Sequence, residues 1–183
     1  MNAVTVLQRL HQHRAWVNAN LLTAAERLHE EQLHAVFPIG QGTIWKSFLH
    51  LYGAEYVWLE ALLGNDDPLL PGDLPGKIPG NQQGQATILG LPDLHQKWVI
   101  LEQRWTDYLS SLSPEALEEL VYKKSTSSGL GKRFGTRRTD ILLHVCTHAQ
   151  FTTAQVINMF RHLGCEVFPE TMLISLARRE MSS

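Results

Sequence analysis

The sequence predicts an all-α protein, a four-helix bundle with a long second connection and a short extra C-terminal helix. Two observations carry this. Four long stretches place apolar side chains at alternating three- and four-residue steps, the period of one buried helix face. Between the second and third of them, residues 64–90 are dense in proline and glycine. A connection of that length can run the full length of a bundle and start the third helix at the same end as the second, giving an up-down-down-up order.

The first stretch, about Ala3 to Leu33, carries Leu7, Leu10, Val17, Leu21, Ala24 and Leu28, a stripe broken only at Arg14. His11, His13, His29 and His34 fall mostly off that stripe and read as solvated surface histidines. The second helix is expected from Thr43, a suitable N-cap, to Leu63, where Gly64-Asn65 stops it. Ile44, Phe48, Leu51, Leu59 and Leu62 make its core face. His50 lies on another face beside Gly53, Ala54, Val57 and Ala61, small neighbours that suit either a pocket floor or a close helix–helix approach.

Pro68, Pro71, Gly72, Pro75, Gly76, Pro79, Gly80 and Gly84 then exclude a helix. A third helix follows from Pro92, a first-turn residue, to about Leu112. Trp98 and Trp105, seven residues apart, read as core aromatics on one seam. Ser113 to Leu120 is a short capped turn, and 120–138 is either a small hairpin or an irregular loop. Lys123, Lys124, Lys132, Arg133, Arg137 and Arg138 make this the basic patch of the chain. It is either a solvated loop face or a holder of an anionic small molecule at a pocket mouth.

The fourth helix, about Thr139 to Leu163, turns Ile141, His148, Thr152, Gln155, Met159 and Leu163 inward, with His144 at one edge. Polar groups inside an apolar stripe cost free energy unless each finds a partner, which marks the helix as a site. His144 and His148 are one turn apart, so their rings can address a common atom, a spacing used by metal sites. After Gly164, the Pro169-containing tail leads to one more short amphipathic helix, lying across the bundle or against a second subunit.

The 183 residues are expected to form a single domain, 1–183. A net charge of −2 gives no case for nucleic acid as a partner. Cys146 and Cys165 make no disulfide framework, and Cys146 reads as a buried, inert thiol. The N-terminus lacks the pattern of a signal peptide and no apolar run approaches the ~20 residues of a membrane span, so a cytoplasmic protein without membrane partners is expected.

Three segments give the chain a family resemblance. Trp16-Val-Asn18 is similar to the Trp-x-Asn of the DinB/YfiT-like family. His50-Leu-Tyr-Gly-Ala-Glu55-Tyr-Val-Trp58 resembles its His-x4-Glu-x2-Trp segment, and His144-x3-His148 with Gln155 resembles its His-x3-His-x3-His-Arg-Gly-Gln pattern. The resemblance spans about residues 10–175. It implies a divalent metal, zinc, nickel or iron, on one histidine of the second helix and two of the fourth, with water in the open position. It further implies a homodimer acting on a small molecule, as a metal-dependent hydrolase or a transferase using a low-molecular-weight thiol.

The chain departs from that pattern at one place. The third histidine of the family's run is replaced by Thr152, followed by Thr153-Ala154-Gln155. The relatives' ligand pair is the second and third histidines of the run, so the matching positions here are His148 and Thr152, and a threonine hydroxyl is a poor ligand for zinc or nickel. Either His144 steps in, making a shifted site of His50, His144 and His148, or the site is degenerate. In the second case the protein is a metal-free, non-catalytic binding or stress-related dimer. Glu55 turns to another face than His50 and is expected to be a structural partner rather than a general base.

Overall fold

The computed structural model describes residues 2–127 and 129–182. It is mostly helical. Four long helices are α1 (Ala3–Ala25), α3 (Ile44–Leu62), α4 (Leu91–Ser110) and α5 (Arg138–His162), and two short ones are α2 (Glu30–Leu33) and α6 (Leu173–Met181). A two-stranded antiparallel sheet, β1 (Leu120–Lys124) with β2 (Arg133–Arg137), precedes α5, so the hairpin alternative holds for this segment. No helix among the described residues is long and apolar enough to cross a membrane.

The long helices start where local chemistry supplies caps. Asn2 Oδ1 accepts from the Thr5 amide at 2.9 Å to start α1. Thr43 Oγ1 accepts from the Lys46 amide at 3.0 Å to start α3, as the sequence predicts. Each cap satisfies a backbone donor that has no partner within its helix. The first helix is shorter than its apolar stripe suggests. It yields at Ala25 to three-residue turns, and Gln32 Oε1 accepts from the His29 amide at 2.9 Å to open α2 separately. Periodicity reports which face is buried, whereas this boundary is set by local hydrogen bonds that the stripe does not encode.

Helices α1 and α3 each pack against both α4 and α5, closing a four-sided core. Trp98 and Trp105 sit within it as expected. His11 and His13 correct the sequence reading, because they are buried rather than solvated. His11 Nε2 donates to the Leu142 carbonyl at 3.1 Å and its ring packs 4.9 Å from that of Trp105. His13 Nε2 donates to the Thr171 carbonyl at 2.9 Å beneath the C-terminal tail. That tail lies along α1, fixed also by the Arg9–Glu180 pair at 2.7 Å. Both residues belong to stripes that the apolar count misses, since a neutral imidazole with one carbonyl partner buries at modest cost.

Candidate functional site

The proline- and glycine-rich connection is the part of the chain that builds the site. Asp73, itself buried, collects the loop: its carboxylate accepts from the Gly80 amide at 2.7 Å, the Gln82 amide at 2.8 Å and Gln82 Nε2 at 2.8 Å. The loop so folded presses onto α3 where both backbones are bare. A Cβ built on Gly53 would sit 2.5 Å from the Gly80 nitrogen, and one on Gly80, whose φ is +81°, would sit 2.0 Å from the Leu49 carbonyl oxygen. The small residues beside His50 are therefore divided between two uses. Gly53 admits the loop, and Ala54 and Val57 line a pocket.

This approach delivers the Pro79 carbonyl to His50 Nδ1 at 3.1 Å. A carbonyl only accepts, so Nδ1 carries the proton and Nε2 keeps its lone pair. That Nε2 faces His148 Nε2 at 3.1 Å, with the rings nearly perpendicular at 74°. With His148 neutral, its Nε2–H donates to His50 Nε2. Burial is the main cause that lowers the His148 pKa to about 4, with the neighbouring His50 and His144 adding to it. Two nitrogen donors bound at ~2.05 Å in a tetrahedral shell lie ~3.3 Å apart, close to this separation. A ring nitrogen held by a backbone carbonyl is also the usual outer support of a metal-binding histidine. The pair fits two positions of such a shell.

His144 reaches the same pocket but not the pair. It is exposed at the rim, its ring 5.7 Å from that of His148 and edge-on to Trp58 at 5.5 Å. Partial loss of water lowers its pKa. Among the described residues, no three His, Cys, Asp or Glu side chains form a group able to hold a metal. The pocket has a volume of about 430 Å³, and His50, His148, Trp58, Phe134, Lys123 and Lys124 line it together with Ile78 and Pro79 of the loop. Thr152, which stands where the family pattern has a histidine, is buried and does not line it. Gln155 lies against Gly40 in the connection before α3.

Glu55 sits apart, in a buried ion cluster. Arg14 donates to Glu55 and, bidentately at 2.7 Å, to Glu102. Asn18 Nδ2 and Trp98 Nε1 add bonds to Glu55 at 2.9 and 3.0 Å. Burial pushes the Glu55 pKa up and the Arg14 guanidinium works against that shift. The Trp-x-Asn and His-x4-Glu segments thus meet through Asn18 and Glu55, tying α1 to α3, while His50 and Trp58 on either side face the pocket. Cys146 is buried and its thiol is pushed up to about 12, mainly by burial, which leaves it no thiolate at neutral pH.

Sequence reasoning missed Pro79 and the burial of Lys123. The first acts through its backbone, which no side-chain pattern reports. The second had a signal: in Leu120-Val-Tyr-Lys-Lys the two-residue period of a strand puts Val121 and Lys123 on one face, and both are buried.

A family model described as the DinB superfamily matches residues 11–156. None of the curated proteins matches the chain.

Proposed function

The chain belongs to the DinB superfamily, and on that premise we propose that its working centre is the His50–His148 pair, a site for zinc, nickel or iron completed when His144 turns in from the rim as third protein donor. The observation that supports this most directly is the 3.1 Å approach of the two Nε2 atoms beneath a pocket, with the other nitrogen of His50 held by Pro79. When bound, a divalent cation there supplies Lewis acidity and a water or thiol of lowered pKa, the chemistry of a hydrolase or a low-molecular-weight-thiol transferase. The chain's own contribution is threefold. Pro79 orients His50, burial keeps His148 neutral so that its Nε2 can bind once the proton rests on Nδ1, and Trp58 and Phe134 wall the space beside the pair. The same reading takes the four long helices as the up-down-down-up bundle of the family and the assembly as a homodimer, which light scattering tests.

A second reading has its own support. His144 stands off from the pair and Thr152 lies outside the pocket, so a metal-free binding protein is the alternative. Elemental analysis of the purified protein separates the two. About one equivalent of metal per chain, lost in both His50→Ala and His148→Ala and bound more weakly in His144→Ala, is the expected result. Metal-free protein whose melting temperature ignores added zinc, nickel and iron selects the alternative.

A further inference from the structure

We infer that Lys123 is the specificity residue of this pocket and selects small molecules carrying one carboxylate beside a flat apolar body. The inference rests on the pocket's being the functional site, as proposed above, but not on its metal.

The basic patch divides once its partners are known. Lys124 pairs with Asp67 at 2.7 Å, Arg133 with Asp66 at 2.9 Å and Arg138 with Glu119 at 2.7 Å, so these three charges are neutralised locally. Lys123 differs from them. Only 8 % exposed, it makes no ion pair among the described residues. Its ammonium donates to the Lys124 carbonyl at 2.9 Å and lies 5.2 Å from the centre of the Trp58 ring. An ammonium has three protons, and one carbonyl plus one aromatic face leaves donor capacity unused. Burial disfavours the charge, Asp67 offsets this only from beyond ion-pair distance, and an anionic ligand in the pocket would relieve the remainder.

The walls define the remainder of the ligand. Strand pairing sets Lys123 opposite Phe134, so both face the pocket across from Trp58. Two aromatic rings in a space of about 430 Å³ suit a flat apolar body. Among the described residues no arginine lines the pocket, and of its two lysines Lys124 is already paired with Asp67, so the single ammonium without an ion pair matches a monoanion better than a doubly charged phosphate. Lys123, His50 and His148 line the same pocket, so a ligand held by Lys123 has the imidazole pair as a neighbour.

Benzoate and its uncharged analogue benzamide are the probes, titrated calorimetrically into the full chain after treatment with EDTA. Saturable benzoate binding in the millimolar range is expected, at least tenfold weaker in Lys123→Gln and for benzamide, and retained within threefold in Lys123→Arg and Lys124→Gln. Equal binding by Lys123→Gln with an unchanged urea midpoint, equal binding of benzamide, or no saturable benzoate binding each overturns the inference. Metal content of the untreated wild-type protein is measured in parallel. Normal metal with no benzoate preference removes only this inference, and benzoate preference without metal removes only the metal-dependent reading.

Discussion

Gly53→Ala places a methyl group where the loop backbone already lies, and its effect is calculable. The new carbon would meet Gly80 N at 2.5 Å and both Gly80 Cα and the Pro79 carbonyl carbon at 2.9 Å, all backbone atoms that no rotamer change relieves. Ordinary contact begins near 3.4 Å, so the loop must retreat by about 0.9 Å. The His50 Nδ1 bond to Pro79, at 3.1 Å, does not survive such a retreat. Overpacking and one lost hydrogen bond together cost about 2–4 kcal/mol. Urea denaturation reads the stability loss, and nitrogen chemical shifts of the His50 ring read its tautomer. The expected outcome is a destabilised protein in which His50 no longer holds its proton on Nδ1. A loss under about 0.5 kcal/mol with unchanged ring shifts would refute the view that the loop orients this histidine.

Two further predictions concern the buried polar groups. Arg14→Met leaves Glu55 and Glu102 without their guanidinium and should cost about 3–5 kcal/mol in urea denaturation. Adding Glu55→Gln to that variant should restore part of the loss, and a double variant no more stable than the single one contradicts the account of the cluster. His11 gives a pH dependence: burial first, then the Arg14 charge, holds its pKa down to about 3, and its Nδ1 has no partner to receive a new proton's bond. The folded pKa lies below the unfolded one, so the stability it confers is complete above pH ~6.5 and is lost as pH falls toward 3. Between pH 7 and 5 this amounts to about 2 kcal/mol, and His11→Phe should flatten the profile by that amount. An identical slope in the variant means that His11 is not the group responsible.

Much of this architecture was legible in the sequence. The periodicity located four long helices, Thr43 and the two tryptophans behaved as their chemistry requires, and Glu55 proved a structural partner in an ion cluster. What escaped was polar burial that depends on distant backbone. His11 and His13 are inside because the Leu142 and Thr171 carbonyls receive them, and neither carbonyl is near in sequence. The candidate site was legible by halves. His50 and His148 meet, since each lies on the face its helix turns toward the other, whereas the edge position of His144 left its distance from the pair undetermined. The loop's composition announced an absence of helix, but its docking depends on two glycines, 53 and 80, matched across 27 residues.

The acceptor that orients His50 is a peptide carbonyl, and this affects how the site tolerates change. An acidic side chain in that role would be erased by one codon change, whereas no side-chain replacement at position 79 removes a backbone oxygen. Vulnerability moves instead to residues that do not line the pocket, the bare Gly53 and Gly80 and the loop-gathering Asp73. A mutational scan confined to the pocket lining would pass over all three, although losing any one is expected to move the carbonyl away from the imidazole.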